Sequence, residues 1–285
     1  MLVRIEEVLL AEKPDYVLVY GDTNSTLAGA LAGAKLNLSV AHVEAGLRSF
    51  NREMPEEHNR IVADHCSDLL FCPTQTAVDN LAREGITNGV HLVGDTMYDA
   101  VLQFSSIARK RSTILADLNL VSKNYLLTTI HRPYNTDVPE NLRNIFQAFA
   151  EIGEVIVFPV HPRTSKKIAA LERGISKELL PGNVRIIEPV GYLDMLVLEE
   201  NAQLILTDSG GMQKEAYFFG VPCITLRPET EWVETVESGW NVVAGADILT
   251  IVEGYQQAIN SPPTIRPDLY GDGRASEKIV SRLIG

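Results

Sequence analysis

Ten short, almost continuously apolar runs limit what this chain can fold into more than any other feature. They are Tyr16–Tyr20, Ser39–Val43, Leu69–Cys72 and His91–Val93, then Tyr125–Thr129, Val155–Val160, Val184–Ile187, Leu204–Thr207, Cys223–Leu226 and Asn241–Val243. Amphipathic stretches separate them, among them Thr26–Lys35, Pro55–His65, Gln75–Glu84, Pro139–Ala150, Leu193–Asn201 and Met212–Phe219. A strand that is apolar on both faces must be covered on both, and a helix between successive strands supplies the cover. The pattern therefore predicts an α/β fold with parallel sheets. Residues 97–122, with a helix and the polar stretch Arg109-Lys-Arg-Ser112, lie between a series of four strands and a series of six and read as a linker. The first series opens on an amphipathic helix (Leu2, Ile5, Val8, Leu9) with no strand before it, so that half-sheet reads as incomplete and the chain as beginning inside a domain.

The run Leu204-Ile-Leu stops at Thr207-Asp208-Ser209, turns on Gly210 and Gly211, and enters a helix that closes at Gly220. This order puts backbone N–H groups, a hydroxyl and a positive helix end at the carboxyl edge of a parallel sheet, where phosphates and nucleotides bind. The two glycines are read as an exposed turn that lets a ligand approach the main chain. Glu215, one helical turn on, is within reach of a ribose diol. A well-capped strand–helix turn without a ligand is the other reading of the same residues.

Other strand tips carry polar groups as well. The first strand ends in Tyr20-Gly-Asp22-Thr-Asn-Ser-Thr26 and the second in His42-Val-Glu44-Ala-Gly-Leu-Arg48; an acidic pair follows in Met54-Pro55-Glu56-Glu57-His-Asn-Arg60. Helix capping and helix electrostatics account for such residues one at a time. Three acidic sites on one rim also suit general acid–base chemistry, since crowded carboxylates raise one another's pKa. In the second series, Thr128-Thr-Ile-His131-Arg132-Pro and Phe158-Pro-Val-His161-Pro-Arg163 place a His beside an Arg at neighbouring strand tips. Two such pairs fit a diphosphate clamp, although a histidine satisfied within the core is the commoner use of that residue.

Composition narrows the partners. Lys+Arg 25 against Asp+Glu 37 gives a net charge of −12, which argues against nucleic acid and anionic membrane surfaces. A negative protein that holds a negative nucleotide needs local donors, and Arg48, Arg52, His131, Arg132, His161 and Arg163 are the candidates. No apolar run approaches the roughly 20 residues of a membrane span. Cys66, Cys72 and Cys223 lack C-x-x-C spacing and read as reduced thiols of a cytoplasmic protein, with no metal site.

Taken in order, Val19-Tyr-Gly-Asp-Thr, His42-Val-Glu-Ala-Gly-Leu-Arg, Pro55-Glu-Glu-x-Asn-Arg60, His131-Arg-Pro, Val160-His-Pro-Arg and Asp208-Ser-Gly-Gly-x-Gln-x-Glu215 resemble the non-hydrolysing UDP-N-acetylglucosamine 2-epimerases over about residues 1–260. The resemblance implies a GT-B-like pair of Rossmann-type domains around a cleft, at 1–108 and 109–264, with residues 265–285 as a helix crossing back to the first domain. It implies a homodimer, no cofactor, and inversion of carbon 2 of a UDP-sugar through elimination and re-addition of UDP, for cell-surface polysaccharide precursors. Asp22, Glu44 and Glu56 match the family's acidic catalytic group, and His131 its active-site histidine. Ser209, Gly210, Gly211 and Glu215 match UDP contacts and Val190 and Met195 the uracil-site positions, with Arg48, His161 and Arg163 as further substrate ligands. The family's opening strand and Gly-Thr-Arg-Pro-Glu loop are not matched, which agrees with the short first strand series.

Two departures bear on substrate. His131-Arg-Pro-Tyr134-Asn135 replaces the family's His-Arg-x-Glu-Asn, and Thr230-Glu231-Trp232 replaces Thr-Glu-Arg, removing a cation near the nucleotide. With Gln213-Lys-Glu, the latter looks more like the branch acting on UDP-2,3-diacetamido-2,3-dideoxy-glucuronate, so both UDP-sugars stand as substrates. A GT-B glycosyltransferase and an inactive UDP-sugar-binding protein are the rival functions.

Overall fold

The computed structural model describes residues 1–174 and 179–285; the side chains of residues 163 and 172–174 lie outside that description. The chain divides into two units, Met1–Ala100 with Asp268–Gly285, and Val101–Pro267.

In the first unit α1 (Leu2–Glu12), β1 (Tyr16–Tyr20), α2 (Asn24–Lys35), β2 (Ser39–Val43), α3 (Pro55–His65), β3 (Leu69–Cys72), α4 (Gln75–Arg83) and β4 (Val90–Leu92) alternate, and α5 (Thr96–Arg111) leads into the second unit. The strands form one parallel sheet in the order β1-β2-β3-β4. α2 starts where the Thr23 hydroxyl accepts the Thr26 N–H at 3.4 Å, and its Ala/Gly-rich face lies hard on the sheet. A Cβ on Gly33 would come within 2.8 Å of the Val40 side chain, and one on Gly29 within 2.9 Å of Val19. The other face of the sheet packs Ala41, Val43, Phe71 and Val93 against Ile279 of α14 (Ala275–Leu283).

The second unit contains α6 (Ile114–Asp117), β5 (Leu126–Thr129), α7 (Pro133–Thr136), α8 (Pro139–Ile152), β6 (Ile156–Pro159), α9 (Pro162–Gly174), β7 (Val184–Ile187), α10 (Tyr192–Asn201), β8 (Leu204–Thr207), α11 (Gly210–Phe219), β9 (Cys223–Thr225), α12 (Val233–Glu237), β10 (Asn241–Val243) and α13 (Ile248–Asn260). Its parallel sheet runs β10-β9-β8-β5-β6-β7. Alternate residues enter two cores. Leu126, Ile156, Phe158, Leu204 and Leu206 point into one with Leu142 and Phe146 of α8, and Leu127, Val157 and Ile205 into the other with Leu198 of α10 and Ala216 of α11. Continuous apolarity was thus the signature of strands buried on both faces.

The division between the two units, at Ala100 and Val101, falls within the stretch read as a linker. The polar stretch Arg109-Lys-Arg is the last turn of α5, where basic side chains favour the helix's negative end, and Arg109 Nε lies 2.9 and 3.0 Å from the Glu200 carboxylate. β4 begins one residue earlier than the sequence pattern suggests, because Val90–Leu92 is a partly exposed edge strand whose hydropathy marks its ends poorly.

Candidate functional site

In the second sheet the chain passes outward from β5 through β6 to β7, then returns to β8 on the other side of β5. The crevice at the carboxyl ends of β5 and β8 is therefore the switch point at which open α/β sheets bind ligands. Thr129 and Thr207 pair there, with their hydroxyls 2.7 Å apart, and two loops diverge beyond them.

One loop carries His131 and Arg132, the other Asp208 to Gly211, and Asp208 joins them. Its fully buried carboxylate accepts the His131 N–H at 3.0 and 3.1 Å, the Arg132 N–H at 2.9 Å and the Asn135 amide at 3.0 Å. His131 Nδ1 lies 3.2 Å from Asp208 Oδ1, and the imidazole stays 44% exposed. Desolvation holds its pKa below the ordinary histidine value; Arg132, His161 and Arg227 push the same way, outweighing the opposite pull of Asp208. These surroundings favour neutral His131. His161 is exposed at the tip of β6, and the Arg163 side chain lies outside the described residues.

Ser209 caps α11, its hydroxyl accepting the Met212 N–H at 3.4 Å, and its own N–H donates to the Thr207 hydroxyl at 2.9 Å. The first-turn N–H groups of a helix have no partner inside it, so Gly210 and Gly211 stand where an anion would find donors and a positive helix end. Gly210 needs correcting: it is buried, not part of an exposed turn. A Cβ there would lie 2.7 Å from Glu231 Oε1 and 3.3 Å from Trp232 Nε1, and Glu231 is itself held by Arg227 Nη2 at 2.6 Å. The cation missing at position 232 has a counterpart, because the Lys214 ammonium lies 4.0 Å from the Trp232 ring centroid.

Glu215 is buried on α11 and interacts with two residues of α10 that sequence reasoning missed. The Tyr192 hydroxyl donates to it, and the carboxyl of fully buried Glu199 is its neighbour. Burial and then the neighbouring Glu215 push the Glu199 pKa well above the ordinary carboxyl range, which favours the neutral acid beside Glu215. Tyr192 and Glu199 are seven apart on one helix face, and that spacing was the available signal. Val190 and Met195, just before and within α10, are half-buried against the second core.

In the first unit Asp22 and Glu44 meet at Gly21. A Cβ on that glycine, at φ +61°, would lie 3.2 Å from Glu44 Oε2, and Glu44 itself sits at φ 72°. Arg60 of α3 donates to Asp22 Oδ2 through Nη2 at 2.7 Å and Nε at 3.0 Å, while Asn59 donates to the Asp22 carbonyl at 2.8 Å. Glu56, half-buried, lies one helical turn ahead of Asn59 and Arg60 on the same face of α3. Arg48 is corrected from ligand to scaffold. Its side chain is 1% exposed and its nitrogens are committed to Glu84, Asp64 and the Leu47 carbonyl at 2.6–2.7 Å.

A capped Ser-Gly-Gly helix start at the switch point of a parallel α/β sheet is the arrangement at which proteins of this architectural class place their ligands. The family described as UDP-N-acetylglucosamine 2-epimerase matches residues 1–284, and the chain belongs to it. It is 55% identical over 284 residues to a UDP-N-acetylglucosamine 2-epimerase homolog of Methanococcus maripaludis, covering 99% of this chain and 79% of that one. It is 49% identical over 293 residues to the UDP-2,3-diacetamido-2,3-dideoxy-D-glucuronate 2-epimerase of Pseudomonas aeruginosa, covering 99% and 78%. Among solved structures, the UDP-GlcNAc 2-epimerase of Methanocaldococcus jannaschii in complex with UDP-GlcNAc and UDP superposes with a TM-score of 0.89 at 47% identity, covering 99% of this chain and 79% of that one. Among the described residues no helix is long and apolar enough to cross a membrane.

Proposed function

We propose that this chain is a non-hydrolysing UDP-sugar 2-epimerase that interconverts UDP-N-acetylglucosamine and UDP-N-acetylmannosamine by eliminating UDP and adding it back. The observation that carries the reading is the pair of switch-point loops tied together by Asp208, with the capped start of α11 in one and neutral His131 in the other. In this assignment the Ser209 hydroxyl and the N–H groups of Gly210 and Gly211, with His161 and Arg163, hold the diphosphate. Glu215 takes the ribose diol, and Val190 and Met195 flank the uracil. Departure of UDP builds negative charge at the diphosphate, which His131 meets by becoming protonated. Asp22, Glu44 and Glu56 remove and return the proton at carbon 2, and Arg60 fixes Asp22 for that work. The enzyme is read as a cytoplasmic homodimer that supplies polysaccharide precursors.

The diacetamido-glucuronate substrate is kept as a second reading because Lys214 and Trp232, the residues that set this chain apart from the commoner family pattern, pack on each other beside Gly210. Incubation with each UDP-sugar alone in deuterated water tests the assignment. Deuterium at carbon 2 with formation of the epimer is expected, and the sugar that exchanges faster identifies the substrate. Absence of exchange until an acceptor is added points to a glycosyltransferase, and UDP binding with no turnover points to a binding protein.

A further inference from the structure

His42 is the second-last residue of β2 and is wholly buried. Its Nε2 lies 2.8 Å from the Gly21 carbonyl oxygen and its Nδ1 2.7 Å from Asp64 Oδ1. A carbonyl oxygen can only accept, so Nε2 carries a hydrogen. The other oxygen of Asp64 already receives the Arg48 Nη1 donor at 2.7 Å and the Gly46 N–H at 3.1 Å, as an ionised carboxylate would. An ionised oxygen facing Nδ1 requires a hydrogen there too. Both ring nitrogens donate, so the side chain is an imidazolium.

Its surroundings support that charge. On α3 it faces Asp64, beyond β2 it feels Glu44, and Arg48 stands on the far side of Asp64, tied in turn to Glu84 next to α4. Cys72 on β3 faces Asp64 and stays a neutral thiol, its pKa pushed up to about 12 by burial and then by Asp64. His42 and Arg48 thus balance Asp64 and Glu84 in a closed network, the condition under which buried charges are tolerated. Burial opposes the charge on His42, but the hydrogen bond and the charge of Asp64, then Gly21 and Glu44, outweigh it and raise its pKa.

We propose that His42 is a positioning residue: a buried imidazolium that clamps the Gly21–Asp22 turn after β1 to Asp64 of α3 and stands as a fixed positive charge beneath Glu44. The proposal rests on the epimerase reading for its catalytic consequence but not for the clamp itself. Gly21 is the hinge of that turn, at φ +61°, and its carbonyl orientation decides where the next residue, Asp22, points. Arg60 and Asn59 hold Asp22 from α3, so the clamp and these bonds anchor the turn from two sides.

Two measurements on the whole chain test the clamp without using activity. Nitrogen-15 NMR of the histidine rings is expected to show both His42 nitrogens protonated from pH 6 to 9, and Asp64→Asn should restore an ordinary titration. In His42→Gln, amide hydrogen exchange across Tyr20–Thr26 should accelerate at least tenfold while exchange across Thr207–Glu215 is unchanged. A third measurement tests the consequence: His42→Gln should lower kcat ten- to a hundredfold and leave KM within about twofold, with UDP affinity preserved. A His42 that titrates near neutral pH, unchanged exchange at Tyr20–Thr26, or a loss confined to KM would each overturn the proposal. A wild-type chain that turns over neither UDP-sugar while His42 behaves as described supports the clamp and sinks the epimerase reading instead.

Discussion

Glu199→Gln is the substitution whose effect can be worked furthest from the structure. Glu199 is wholly buried on α10, in a core with Tyr125, Leu198 and Cys223, and its neighbouring charged group is the carboxylate of Glu215. Burial and that negative neighbour keep it protonated in the folded chain well above the ordinary carboxyl range, whereas in the unfolded chain it titrates normally. Between those two pKa values the folded state holds one more proton than the unfolded state. Stability from this residue is therefore fully present below the unfolded pKa and falls by about 1.4 kcal/mol for each pH unit on the way up to the raised folded pKa. A glutamine keeps an N–H donor toward Glu215 and does not titrate. The wild-type chain should accordingly lose ground to Glu199→Gln by about that amount per pH unit above pH 5. Trp232 and Trp240 are the chain's 2 tryptophans and both lie in the second unit, so urea unfolding followed by their fluorescence reads the unit that contains Glu199. Taking the difference between the two chains at each pH cancels the other titrating groups. A difference that stays flat from pH 5 to 7 would mean Glu199 is ionised in the fold, and the account of how Glu215 is held would be wrong.

The remaining expectations concern the rest of the site. Gly210→Ala should cost about 1–3 kcal/mol by pushing Glu231 off Arg227, and it should weaken UDP binding, both read by urea midpoint and calorimetry; unchanged stability would show that Glu231 has room to move. Asp22→Asn, Glu44→Gln and Glu56→Gln should each lower turnover by roughly 10²–10⁴ with little change in UDP affinity, and parallel losses of the two would make these residues electrostatic supports. Because its surroundings favour neutral His131 and a diphosphate favours its charged form, UDP binding should take up protons and weaken as pH rises through the histidine range. Calorimetry in two buffers of different ionisation enthalpy measures that uptake, which His131→Ala should largely remove.

How much of this was legible in the sequence depended on whether the signal was local. Strands β1, β2, β3, β7, β8 and β10 have the limits the apolar runs suggested, because each run is a signal carried by its own residues, on the edge strands β1, β7 and β10 as on the buried ones. The strand-tip residues Asp22, Glu44, His131 and Ser209 were legible for the same reason, since they flank those runs. Arg48 was misread because an arginine after a strand tip looks the same whether it meets a ligand or carboxylates 16 and 36 residues away. Gly210 was misread because the group that crowds it, Glu231, comes from the loop after β9. Glu199 was missed because its partner lies on the next helix, and the seven-residue spacing from Tyr192 was the one local sign that set it apart from Glu200.

The two units share a device that explains why their strand-tip loops can carry function. Each has a wholly buried carboxylate behind the loop, taking backbone and side-chain donors together: Asp64 receives Gly46 N–H, His42 and Arg48, and Asp208 receives the N–H groups of His131 and Arg132 and the amide of Asn135. A buried carboxylate is costly unless its acceptor sites are filled, so each loop is held to the conformation that fills them. The positions at positive φ in the first loop, Gly21, Glu44 and Gly46, are then maintained by bonds made behind them together with the Asp22–Arg60 pair. A site built this way is organised before substrate arrives. The same logic separates the two kinds of substitution: changes at Asp22, Glu44 or His131 should alter chemistry while leaving the fold, whereas Asp64→Ala or Asp208→Ala should strand several buried donors at once and destabilise the unit that contains them.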